Sequence, residues 1–240
     1  MYIADHVLYI LFFICGISPL ILGYIFGVVG LQIYVALCVV LSNIQVLKAT
    51  SISFLPNPIA MGTILFSSTF LVTDILVEIY GIYYAKKTIA LGFCAGLLSV
   101  LIMTLTLYSP TVNSNIFFIS EFGKVNTAME VLFTPTPRIL VASLIAYIIS
   151  QLNDVWIFYI FKKKTGIKFL WLRANLSTIF SSILDNVIFS LFAWVILTPT
   201  PLSWKTVIFT YILGSMTIRV SLSILNTFFL YCARIILKKI

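Results

Sequence analysis

Long apolar stretches separated by short polar breaks run through almost the whole chain. Val7 to Val29, Leu31 to Leu47, Ile59 to Tyr84, Thr88 to Tyr108, Arg138 to Phe161, Leu176 to Leu197 and Lys205 to Tyr231 are each predominantly hydrocarbon. About 20 such residues, wound as a helix, match the ~30 Å hydrocarbon core of a bilayer. The pattern therefore predicts six or seven membrane-spanning helices, seven if every stretch crosses. Gly16, Gly23 and Gly27 in the first should admit a close neighbour, and Pro19 should bend it. Breakers Pro56 and Pro58 mark the connection Ser51 to Pro58, and Thr198-Pro199-Thr200-Pro201 closes the sixth stretch. The longest polar stretch, Ser109 to Pro137, holds Pro110, Asn113, Asn115, Glu121, Lys124, Asn126 and Glu130. Within it, Ile116–Leu132 is expected to form a short helix at the membrane surface.

Composition agrees with this reading. The 240 residues are 61% hydrophobic and 9% charged, and the mean hydropathy is +1.14. The expected fold is all-α: a polytopic integral membrane helical bundle forming one domain over residues 1–240. No stretch is polar enough to form a separate soluble domain.

The net charge of +8 gathers in loops, at Lys86–Lys87, at Lys162–Lys164 with Lys168 and Arg173, and at Arg234 with Lys238–Lys239. That is how cytoplasmic loops are marked under the positive-inside rule. It does not describe a surface for nucleic acid, so lipid is the expected surrounding partner. The C-terminus is then cytoplasmic, the loop around Asn113–Glu130 lies outside, and seven spans put the N-terminus outside as well. Met1 to His6 carries no Lys or Arg, so the first stretch reads as a retained helix and not as a signal peptide.

Cys15, Cys38, Cys94 and Cys232 form no CxxC pair, and His6 is the single histidine. Neither a disulfide frame, a metal site nor histidine-based catalysis is indicated, and no cofactor is called for.

Acids inside the apolar stretches are the chemical signal. Asp74, Glu78, Asp154 and Asp185 are four of the chain's seven carboxylates. At membrane depth such a group is costly unless paired, protonated or facing a wet cavity. Asp74 and Glu78, spaced i,i+4, should share one helix face, and two close carboxylates in low dielectric cannot both be ionised comfortably. This suits a proton carrier or a receptor for a cationic group. The alternative is a structural ion pair with Arg219 or Lys48.

Ser150–Phe158 (SQLNDVWIF) and Ser181–Phe189 (SSILDNVIF) form a weak repeat that sets Asp154 and Asp185 in equivalent places. Counted from the expected inner ends of their helices, Asp154, Asp185, Asp74 and Glu78 lie ~10, ~16, ~15 and ~9 Å deep. A cavity shared by all four is the expectation. Asn43, Gln151 and Asn175 would add polar lining, while other polar neighbours serve as glue between helices. Phe70, Tyr80, Trp156 and Phe189 stand near enough in sequence to stack on a flat ligand.

FSSTFLVTDILVEIYG (Phe66–Gly81), preceded by LSNIQVLK (Leu41–Lys48), resembles the signature of the queuosine precursor transporter family, also labelled vitamin uptake transporters. ISQLNDVWIF, KKKTGIKFLWLRANLST and SSILDNVIF resemble the second half of that pattern, in the same order. The resemblance runs from about Leu31 to the C-terminus. It implies a six-helix core, residues 31–240, with residues 1–30 as an added N-terminal helix. Ser67 stands where the family pattern has proline.

The resemblance further implies import, across the cytoplasmic (inner) membrane, of deazaguanine bases such as queuine for tRNA modification. Nucleic acid is not itself a partner. A guanine-like edge presents adjacent N–H donors, which a carboxylate accepts well, and its flat ring stacks on aromatics. Two other classes remain at this point. One is a substrate-binding membrane subunit served by a separate ATPase, since GxxxxGK[ST] is absent here. The other is an intramembrane enzyme, for which HExxH and GxSxG are absent.

Overall fold

The computed structural model describes residues 3–51, 53, 59–109, 116–133, 136–198, 201–208, 212 and 214–237. Pro56, Pro58, Pro110, Asn113, Asn115, Pro199, Thr200, Lys238 and Lys239 lie outside them. Helices α1 (Ile3–Gln45), α2 (Gly62–Ile75), α3 (Ile82–Leu107), α4 (Ile116–Phe133), α5 (Thr136–Thr165) and α6 (Leu170–Leu191) come first. A helical turn α7 (Trp204–Thr206) and helix α8 (Gly214–Leu237) complete the set. Two residues each of β1 (Ala49–Thr50) and β2 (Ile59–Ala60) pair antiparallel across the connection after α1.

Six helices among the described residues are long and apolar enough to cross a membrane, and the first is far too long for one crossing. Straight, its 41 residues would reach about 60 Å, twice the hydrocarbon thickness. It folds back at Gly27 (φ 58°, ψ −137°), a left-handed backbone conformation that glycine tolerates and other residues resist. Tyr34 Oη then lies 2.8 Å from the Cys15 carbonyl oxygen, to which it donates. In a straight helix these residues would be about 28 Å apart. A Cβ on Gly30 would stand 2.1 Å from the Leu22 carbonyl oxygen, so the two arms touch backbone to backbone beside the turn. α1 is thus an antiparallel hairpin, and the described residues make seven passes. Pro19 stays inside the helix without a break in φ/ψ, so the sharp turn belongs to Gly27.

Other boundaries move from those expected. The helix carrying Asp74 ends in a π-helical turn, Leu76–Tyr80, and the chain reverses at Gly81 (φ 96°). Lys86 and Lys87 therefore belong to the start of α3 and not to a loop. α5 runs on through Lys162–Lys164, and Arg173 lies within α6 and is fully buried. A second π-helical turn, Phe192–Ile196, extends α6. Ahead of α8, Trp204–Thr206 is helical and Val207–Ile208 continues in π-helical form, so helix is already present where the last stretch was expected to begin. No break occurs in α2 at Ser67, whose hydroxyl instead accepts Asn226 Nδ2 of α8 at 3.3 Å.

The turns sort to two ends. Gly27, Gly81, the α5–α6 turn and the end of α8 lie at one, together with Lys86, Lys162–Lys164, Lys168 and Arg234. The β1–β2 hairpin, α4 and the start of α8 lie at the other. There Asp5 accepts hydrogen bonds from the Ser53 amide and hydroxyl.

Candidate functional site

The four membrane-depth acids do not share one cavity; they occupy three levels. Helix α6 begins at Leu170, so Asp185 sits about 22 Å along it from the basic end, deeper than counting from Ala174 implies. Glu78 stays at that end, and Asp74 and Asp154 fall between.

At the basic end, Glu78 is the centre of an ion cluster. Arg173 Nη2 donates to its Oε2 at 2.5 Å, while Lys162 Nζ and Arg234 Nε stand 3.7 Å from its two oxygens. Lys162 Nζ also donates at 2.7 Å to the carbonyls of Val77 and Glu78, which the π-helical turn leaves available. Arg173 Nη1 donates to the Gly166 carbonyl at 2.7 Å, and its guanidinium stands 5.2 Å from the centre of the Phe158 ring. One carboxylate thus joins α2, α5, α6 and α8. This is the ion-pair alternative, with Arg173 in place of Arg219 or Lys48. Lys48 is exposed at the opposite end, away from all four acids.

At the middle level Asp74 and Asp154 face each other from α2 and α5. Both are buried. Gln151, one turn from Asp154, is consumed by helix packing. Its Nε2 donates to Thr69 Oγ1 at 2.6 Å, and its Oε1 accepts from Thr73 Oγ1 at 3.1 Å. Asn175 is used similarly between α6 and α8, donating to Thr227 Oγ1 at 2.9 Å and accepting from Ser223 Oγ at 3.0 Å.

Toward the other end lies a narrow cleft of about 60 Å³ between α1, α2, α5, α6 and α8. Asp185, Arg219, Asn43, Ser143, Phe66 and Phe189 provide most of its chemistry. Arg219 Nη1 donates to Asp185 Oδ2 at 2.8 Å, and Ser150 Oγ donates to Oδ1 at 3.2 Å. This fixes the carboxylate while leaving lone pairs for a ligand. Asn43 Oδ1 accepts from Ser143 Oγ at 2.8 Å, yet Asn43 Nδ2 and Arg219 Nε are buried donors without an acceptor. The Phe66 ring lies 5.6 Å from the Arg219 guanidinium and 5.6 Å, edge-on, from Phe70. A neighbouring recess, also touching Asn43, is walled by Val40, Val100, Met103 and Leu140 and lacks convergent polar groups.

Of the expected site residues, Asp185 and Asn43 meet in this cleft, with Phe189 beside them. Asp74, Asp154, Glu78, Gln151 and Asn175 do not line it. Trp156 faces outward from the bundle, 58% exposed. Phe66 and Ser143 joined the cleft without having been singled out, and Arg219 lines it as well as answering Asp185. For Arg219 the signal was present, since it is the one cation deep within its apolar stretch.

Residues 60–233 match the family model described as "Putative vitamin uptake transporter". The chain belongs to this family. Its members are transporters, which sets aside the enzyme reading and disfavours the ATPase-served subunit. A Bacillus subtilis (strain 168) protein named "Probable queuosine precursor transporter" is 29% identical over 210 residues, 87% of this chain and 85% of that one. No solved structure matches.

Proposed function

We propose that this vitamin uptake transporter imports queuosine precursors, deazaguanine bases such as queuine, and reads them in the Asp185 cleft. The observation that carries the reading is the cleft itself. It gathers one fixed carboxylate, two unpartnered donors and two phenylalanines around a single opening, the few convergent polar groups among apolar walls that small-molecule sites use. A guanine-like edge has adjacent N–H donors beside a carbonyl oxygen. Asp185 accepts from the donors, Arg219 Nε and Asn43 Nδ2 donate to the oxygen, and Phe66 and Phe189 flank the ring. The similarity to a protein named for queuosine precursors supports the same substrate class.

The basic end faces the cytoplasm in this proposal, as the positive-inside rule requires. The cleft then opens toward the outside, while the Glu78 cluster holds the inner end shut. The membrane is the cytoplasmic (inner) one, and the C-terminus is on its cytoplasmic side.

The test is uptake of labelled queuine in cells lacking their own transport and synthesis, read as modified tRNA. Expression of the chain should restore modification, and Asp185→Asn should not despite normal insertion. Wild-type modification with Asp185→Asn would remove the cleft from the account.

A further inference from the structure

We propose that Asp74 and Asp154 form a proton-binding site, and that import through this transporter is coupled to proton entry. The inference rests on the transport reading above and adds the driving ion. Glu78 and Asp185 each have a guanidinium against a carboxylate oxygen; among the described residues no cation is bonded to the middle pair. Asp74 is 3% exposed and Asp154 not at all. Among the described residues no well-formed hydrogen bond reaches Asp74 Oδ1 or either oxygen of Asp154, although the Ser177 and Thr178 hydroxyls stand beside Asp154.

The groups around the pair cannot neutralise it. On α6, the Ser177 and Thr178 hydroxyls stand within hydrogen-bonding reach of Asp154, with Ser177 also donating to the Ala174 carbonyl at 3.1 Å, but neither carries a charge. The charged groups felt by Asp74 from neighbouring elements are Asp154 on α5, Arg173 on α6 and Glu78 on the π-helical turn. Arg173 already serves Glu78. Ser223, Asn226 and Thr227, presented by α8, carry no charge and line a narrow void reaching Asp74.

Two facing carboxylates without a cation repel strongly where the dielectric is low. A proton held between them removes that repulsion and lets one carboxyl donate to the other. No bond other than O–H changes: the proton arrives at one carboxylate oxygen from the outer side and leaves from it to the inner side.

Position makes this site suitable for coupling. It lies on α2 and α5 between the ligand cleft and the Glu78 cluster. Loss of the proton would push these two helices apart at the level that must open for release inward.

The experiment uses the full chain in liposomes with an imposed pH gradient and labelled queuine as the probe. Wild-type protein should concentrate queuine when the outside is acidic and should stop when the gradient is collapsed. Asp154→Asn should lose gradient-driven uptake yet keep exchange of labelled for unlabelled queuine. Indifference of wild type to the gradient, gradient-driven uptake by Asp154→Asn, or loss of exchange along with uptake would each overturn the proposal. Infrared spectroscopy without substrate separates this claim from the choice of substrate. A protonated-carboxyl band should appear in wild type, shift in Asp154→Asn and vanish when Asp74→Asn and Asp154→Asn are combined, even if queuine proves not to be the ligand. Absence of that band would also overturn the proton site.

Discussion

Asp185 and Arg219 show how one pair can serve both architecture and recognition. Removing one charge strands the other inside the bundle, which typically costs about 3–5 kcal/mol. Asp185→Leu alone should therefore lower the unfolding temperature in detergent. Asp185→Leu combined with Arg219→Met should regain most of the lost stability but no uptake. Recovery of uptake in the double variant would make the pair purely structural.

At this scale the sequence was only partly legible. A carboxylate inside hydrocarbon announces itself, so Asp74, Glu78, Asp154 and Asp185 stood out. Their partners did not, because the charges that answer Glu78 come from three other helices. Gln151 and Asn175 look the same in sequence whether they face a ligand or, as their contacts with Thr69, Thr73, Ser223 and Thr227 show, clamp two helices.

Helices were more legible than their ends. Apolar length alone indicated six or seven passes, and Ile116–Leu132 appears as α4, Ile116–Phe133. The turns at Gly27, Gly81 and Gly166, all with positive φ, are set by backbone geometry that basic residues do not mark. Lys86–Lys87 and Lys162–Lys164 consequently read as loops although helices include them. The Gly27 hairpin gives an element-level prediction. Gly30→Ala places a methyl against the Leu22 carbonyl, where backbone has no flexible end to yield. Overpacking of this kind typically costs about 1–3 kcal/mol. Thermal unfolding should show Gly30→Ala destabilised, while Gly123→Ala, with open space around its Cβ position in α4, should unfold no lower than wild type. Equal melting of the two variants would contradict a tightly packed hairpin.

Taken whole, the bundle arranges its acids as a sequence of levels: an ion-pair closure at the basic end, a carboxyl pair in the middle and a ligand cleft beyond it. The single shared cavity expected from depth counting fails because depth alone says nothing about which way a side chain faces. The π-helical turn after Ile75 adds a second reason, since it changes the phase of Glu78 relative to Asp74. Orientation can be checked with the native cysteines replaced. Lys124→Cys, on exposed α4, should react with an impermeant maleimide in intact cells, and Lys168→Cys only after permeabilisation. The opposite pattern would invert the import direction assigned to the cleft.

The most direct test of the central claim is competition for labelled queuine on the purified transporter. Guanine should displace it and adenine should not, because adenine presents a different order of donors and acceptors to Asp185, Arg219 and Asn43. Asp185→Asn should bind roughly ten- to hundredfold more weakly, as expected when a charged acceptor worth ~1.5–3 kcal/mol is lost. Equal displacement by adenine and guanine, with unchanged affinity in Asp185→Asn, would contradict a cleft that reads the guanine-like edge.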